Sequence, residues 1–336
     1  MSPTTKMTDR RMGRRRALAA IAAASALPLS ALAARPREAP RPVRWDGVAL
    51  GAPAHIVLYH PDRRRAEDTL AACCGEIARL ERAFSLYRPD SELVALNRDG
   101  RIDGPSHDLV ALLAEAQRFA ALSAGRFDVT VQPLWWLYAD HFAAAGADPR
   151  GPDARRIAGA ASRVDCRALD IGPAAIRFAR PGMAVTLNGI AQGAITDRIA
   201  ELLRDAGFDS VLVDLGELRA LGPRPDGPWH IGIEDARRPG RSSHEVPLSR
   251  GGIAGSGGYG ARFEPSGRFH HLFDPATGTS AHGCLSVTVF ASRAMVADAA
   301  ATALAVAGPL DAKRLLASFG AEAAEFMLAD GTRLRV

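Results

Sequence analysis

Apolar and polar residues alternate from Val43 to Tyr59, with a break at residues 51–53, and this period of two predicts a pair of strands. The period then changes: Ala66, Leu70, Cys73, Ile77 and Leu80 recur at helical spacing and predict an amphipathic helix over residues 63–83. "FSLYRPDSELVALN" carries a turn in which Asp90 or Ser91 caps a short helix, and residues 106–123 read as another helix. "GRFDVTVQPLWWLY" reads as extended chain running into Pro133, and residues 139–152 are poorly patterned. Beyond them come a helix from Asp153, short strands near 168–171, 175–178 and 184–187, and a helix over 190–206 that ends at Gly207. "SVLVDLG" predicts a buried strand, followed by hairpin-like strands up to Ser292. An alanine-rich helix then runs to Val306 and stops at Gly308-Pro309, before a helix over 310–319 and a terminal hairpin turning at Asp330-Gly331. Helices and strands mix without regular βαβ alternation, so the pattern predicts an α+β fold.

The first residues do not belong to that pattern. Arg10, Arg11 and Arg14 to Arg16 precede an alanine-rich run that closes on Ala31-Leu32-Ala33, the layout of a signal peptide over residues 1–34. Pro28 interrupts the run and alanine is weakly apolar, which argues against a permanent transmembrane anchor. Paired arginines before a mild apolar region resemble a twin-arginine export signal, while the weakly apolar Ala17-Leu18 that follows also suits Sec export; either way the expected location is the periplasm. Residues 35–42, "RPREAPRP", read as a linker, leaving 43–336 as one domain. Lys6 and five arginines against Asp9 give the leader a charge equal to the whole chain's +5. The remainder is near neutral, which removes the electrostatic case for nucleic-acid binding. The four cysteines form no C-x-x-C motif; a Cys166–Cys284 pair is the one bridge an oxidising compartment suggests.

Several stretches carry candidate chemistry. "GSGGYG" (255–260) has the spacing of a dinucleotide fingerprint, but the following "ARFEPSGRFHHLF" reads as a β-hairpin and no acid follows twenty residues on. The Rossmann reading fails, and a flexible turn is the plainer reading of the glycines. In "TLNGIAQGAITDRIAELL", Gly189 and Gly193 flank a strand-to-helix transition that suits either a tight turn or an anion at a helix start. In "VADAAATALAVAG", Asp298 and Thr302 stand one helical turn apart on an otherwise apolar helix. They fit either a solvated first turn or a hard cation such as Mg²⁺, which takes few protein ligands and completes its shell with phosphate and water. "HHLFDPATG" makes a compact turn, and only one of His270 and His271 can face a given site. Tyr87 and Phe127 could stack on a planar ring or simply pack the core.

The order of these blocks, from Val43 to the C-terminus, resembles the ApbE-type FAD:protein FMN transferases. The resemblance implies a single α+β catalytic domain related to the T-fold. It implies an exported enzyme that splits FAD, releases AMP and joins FMN through a phosphoester to a Thr or Ser of an acceptor protein, with Mg²⁺ as cofactor. By resemblance Asp298, Thr302 and the Gly189 carbonyl match the family's Mg²⁺ ligands. Leu50, Tyr87, Arg126, Phe127, Asp128, Thr186, Gln192 and Leu272 fall where the family contacts FAD, Ser256 is a polar contact in the glycine loop, and His271 is the candidate for proton transfer. Three departures stand out: Gln192 replaces a usual Lys, Glu217-Leu218 replaces Gly-Asp after "VDLG", and Gly255 replaces a Thr. They keep open an alternative, a periplasmic protein that holds FAD without transferring FMN.

Overall fold

The computed structural model describes residues 41–336; the expected signal peptide and most of the 35–42 linker lie outside the described residues. Strands β1 (Pro42–Ala49) and β2 (Ala52–Tyr59) form a hairpin with Ala49 opposite Ala52, so the turn is Leu50-Gly51 rather than residues 51–53. Both turn residues have positive φ, 47° and 78°, the conformation that matches the twist of two-residue hairpins. Leucine is strained there. Its amide is held by Glu81 Oε1 at 2.6 Å.

Helices α1 (Arg63–Phe84) and α2 (Glu92–Asp99) follow, the second capped by Ser91 rather than Asp90. Strand β3 (Arg101–Asp103) precedes α3 (His107–Leu122), α4 (Gln132–Ala143) and α5 (Ala154–Ala161). β4 (Leu169–Ile171) and β5 (Ala175–Phe178) join β3 in a small sheet ordered β3-β5-β4. After α6 (Ala191–Asp205) come β6 (Val211–Asp214), β7 (Leu218–Ala220), the β8 (Trp229–Glu234) and β9 (Ser242–Leu248) hairpin, and β10 (Gly251–Gly257). A short β11 (Phe273–Asp274) and β12 (Thr279–Ser280) ladder leads to β13 (Ser286–Ala291), α7 (Ala294–Ala307), α8 (Ala312–Phe319), β14 (Ala321–Met327) and β15 (Arg333–Arg335).

The main sheet is antiparallel throughout and ordered β1-β2-β6-β7-β10-β13-β14-β15. Helix α7 lies on β10 and β13, flanked by α6 and α8. It is buried on nearly every side, which explains an alanine-rich sequence without a polar stripe. Small side chains let its neighbours come close. A Cβ on Gly252 of β10 would meet Ala294 N at 2.6 Å, and one on Gly193 of α6 would meet Met295 Cα at 2.6 Å.

Four expectations are corrected. "QPLWWLY" is the first half of α4: Pro133 sits in the first turn, where its missing N–H is harmless. Leu134 and Tyr138 then bury against Phe269 and Phe273. Residues 184–187 form no strand, because the groups that bond Val185 belong to a side chain. Asn97 Nδ2 donates to the Val185 carbonyl at 2.8 Å and Asn97 Oδ1 accepts from its amide at 2.7 Å. Only the second half of the glycine run is a turn: residues 251–257 are β10, paired with β7 and β13, and Gly258–Gly260 form a short 3-10 turn. Cys166 and Cys284 are free thiols, and burial pushes both up to about 12.

Candidate active site

The site begins where α6 crosses α7. Asp298 is buried rather than set on a solvated turn, and its Oδ2 accepts from the Gly193 amide at 3.1 Å. Thr302 lies one turn further along α7. A Cβ on Gly189 would stand 2.8 Å from Thr302 Oγ1 and 3.5 Å from the Phe127 ring, so the chain passes close against Thr302 where only glycine fits. Asp298, Thr302 and Gly189 are therefore brought to one place, and their carboxylate, hydroxyl and carbonyl oxygens are the donor set that suits a hard cation. Among the described residues no group of three His, Cys, Asp or Glu side chains forms an alternative metal cluster.

The segment leading to Gly189 is fixed from below. Thr186 donates its amide to Val129 O at 2.8 Å, and its Oγ1 accepts from the Asn188 amide at 3.3 Å. A small cavity beside it is lined by Leu50, Gly51, Ala52, Asn188, Gln192, Gly260 and His271. His271 Nδ1 lies 3.2 Å from the Ala261 carbonyl, which can only accept. Nδ1 therefore carries the proton, and Nε2 is the basic nitrogen of this ring. The neighbouring His270 is buried, and burial first and then His282 lower its imidazole to about 4. The two histidines do divide between core and cavity, as alternation requires.

Gln192 Nε2 approaches Leu215 O at 3.5 Å, and its amide lies so close over Gly216 that a Cβ there would meet it at 2.1 Å. Glu217 is buried, and its Oε2 accepts from the Gly255 amide at 3.3 Å. Two of the three departures from the family pattern, Glu217 and Gly255, thus touch each other. Asp214, the acid of "VDLG", is pushed up to about 6 by burial.

The Arg126, Phe127 and Asp128 segment divides three ways. Arg126 pairs with Asp274 of the D-P-A-T-G turn at 3.3 Å. Phe127 is buried edge-on against Phe119. Asp128 binds its own loops: Oδ1 accepts from Thr130 N at 2.7 Å and from Thr130 Oγ1, and Oδ2 from Cys166 N at 2.9 Å. It lines a larger cavity, about 870 Å³, that also includes Cys166 and Pro275. Leu272 is buried, and Ser256 is buried in β10 opposite Val287 rather than in a loop.

Tyr87, 57% exposed, overhangs a cavity of about 360 Å³ with Trp136, 41% exposed, Arg98, Gln132 and Asn188. Asn188 lines this cavity and the small one, so the aromatic cleft and the His271 side adjoin at the residue before Gly189. Sequence reasoning missed Asn188 and Trp136. Nothing in periodicity marks Asn188, and reading "WWLY" as extended chain hid the helical placement of Trp136.

Comparison with known proteins follows the same lines. The chain is 35% identical over 238 residues to the FAD:protein FMN transferase of Haemophilus influenzae, spanning 67% of this chain and 68% of that one. It is 34% identical over 273 residues to that of Treponema pallidum, spanning 74% of each. The crystal structure of the ApbE protein of Thermotoga maritima matches with a TM-score of 0.76 at 26% identity, over 88% of this chain and 97% of that one. The flavinyl transferase ApbE of Pseudomonas stutzeri matches with a TM-score of 0.73 at 27% identity, over 89% and 96%. A sequence model of the ApbE family matches residues 50–326, and the chain belongs to that family.

Proposed function

We propose that this chain is a Mg²⁺-dependent FAD:protein FMN transferase, exported to the periplasm by its twin-arginine leader. The observation that carries the metal assignment is the convergence of Asp298, Thr302 and Gly189, with the Gly193 amide fixing the carboxylate. The close approach of Gly189 to Thr302 supports a cation shared between them. Asp298, Thr302 and the Gly189 carbonyl would hold Mg²⁺, which would supply charge neutralisation for a bound pyrophosphate.

The chain's own groups do the rest. By the family pattern Leu50, Tyr87, Arg126 and Leu272 contact FAD. His271 Nε2 takes the proton from a Thr or Ser hydroxyl of the acceptor. That oxygen bonds to the FMN phosphorus, the pyrophosphate P–O bond breaks, and AMP leaves with the electron pair. Phosphoryl transfer of this kind depends chiefly on positioning and charge.

Gln192 supplies a neutral amide at a usual Lys position, which favours a second reading, FAD held without transfer. Asp298→Ala discriminates. AMP release from FAD with Mg²⁺ and a Thr-bearing acceptor should fall at least about a thousandfold from wild type, the scale of a lost electrostatic stabiliser. Wild-type AMP release in the variant rejects the metal assignment, and tight FAD binding with no AMP from the wild type establishes the second reading.

A further inference from the structure

We propose that Asp197 of α6 is a positioning residue for the Asp298–Thr302 pair, an inference that rests on the metal reading above. The first amides of a helix need partners, and Arg293, at the N-cap of α7, makes no side-chain cap bond. The cap comes from another helix. The Asp197 carboxylate, 2% exposed, accepts from Ala294 N at 2.9 Å, Met295 N at 3.1 Å and Arg293 Nε at 3.2 Å, and also from Arg219 Nη1. One turn earlier on α6, the Gly193 amide donates to Asp298. Residues 193 and 197 are four apart on α6, and residues 294, 298 and 302 are spaced by four on α7. The two helices are therefore pinned at two successive turns, and Thr302 is the next residue on the pinned stripe. Gly193 allows the close crossing, Asp197 fixes its register, and the oxygens of Asp298 and Thr302 are delivered to Gly189 as a result. A buried carboxylate surrounded by two guanidinium groups and two amides is costly to disturb on one side only.

The test is Asp197→Asn in the full chain, which keeps the shape and one acceptor oxygen. Mn²⁺ serves as the probe, with free ion followed by its EPR signal and Mg²⁺ added in competition. We expect Mn²⁺ affinity to fall about tenfold, the scale of an outer partner that orients a ligand. The KM for Mg²⁺ should rise in step, while the dissociation constant for FAD in EDTA stays within about twofold. Arg293→Ala, which removes a half-exposed partner and leaves the cap amides bonded, should change Mn²⁺ affinity less than about twofold. If Asp197→Asn lowers the melting temperature but binds Mn²⁺ like the wild type, Asp197 is merely structural and the proposal is overturned. If wild type and Asp298→Ala bind Mn²⁺ equally weakly, the metal reading itself fails and takes this one with it. Should Asp197→Asn not fold, Asp197→Glu, with charge kept and carboxylate displaced by one methylene, gives the same comparison.

Discussion

Gly193→Ala is a single added methyl whose consequence can be worked from the α6–α7 crossing. Its Cβ would lie 2.6 Å from Met295 Cα and 2.7 Å from Ala294 O, both backbone atoms that no rotamer change can move. Ordinary contact starts at 3.4 Å, so the helices must part by about 0.8 Å. That stretches the 3.1 Å bond from the Gly193 amide to Asp298 beyond hydrogen-bonding range. Overpacking of this kind costs about 1–3 kcal/mol. For a domain of this size the melting temperature should fall by about 2–6 °C. The larger effect is on catalysis, because a displacement near 1 Å of positioned groups can cost about a hundredfold in rate. Gly75→Ala is the control: it lies on the exposed side of α1 with open space around it, and should be neutral or stabilising by up to about 1 kcal/mol. Differential scanning calorimetry and AMP release measured on both variants decide the matter. Wild-type melting temperature and turnover in Gly193→Ala would show that the crossing accommodates the added methyl without moving Asp298.

Other consequences are independent of that crossing. His270, lowered to about 4 in the fold against 6.5 ordinarily, stays neutral when the unfolded chain would take a proton. Its contribution is therefore full above pH 6.5 and lost as pH falls toward 4, by up to about 3 kcal/mol; urea melts at pH 7.5 and 4.5 should show this slope, and His270→Gln should flatten it. Asp214 has the opposite sign: raised to about 6, its protonated form is favoured by the fold, so stability declines as pH rises through 6. Asp214→Asn should stabilise at pH 8 and change little at pH 3.5, and equal effects at both would contradict the burial argument. Tyr87→Ala should leave stability within about 0.5 kcal/mol and weaken FAD binding about fivefold by loss of stacking, measured by flavin fluorescence titration.

The elements that were legible in the sequence were those whose signal is local. Period and caps located α1, α3, α6 and the buried "VLVD" strand to within a few residues, and Asp298 with Thr302 showed itself as a polar pair on an apolar helix. What escaped depended on partners distant in sequence. The 184–187 segment looks like a strand because it is extended and apolar, yet its bonding groups come from Asn97, 88 residues away. Pro133 looked like an end to structure because proline breaks a helix interior, whereas the first turn accepts it. The "GSGGYG" run suggested a nucleotide turn and then a loop. Its first glycines are strand residues beside Gly252, whose missing side chain admits the backbone of α7. The tie that the Asp128 carboxylate makes between Thr130 and Cys166 was likewise invisible, because Cys166 lies 38 residues away.

Mass spectrometry of the acceptor separates transfer from binding. The purified chain is incubated with FAD, Mg²⁺ and a Thr-bearing acceptor protein, with a parallel reaction in EDTA. The expected products are an acceptor heavier by FMN less one water and AMP in equal amount, with neither formed in EDTA or with Asp298→Ala. An unmodified acceptor beside tightly bound, intact FAD, or modification that persists undiminished in EDTA, would contradict Mg²⁺-dependent transfer.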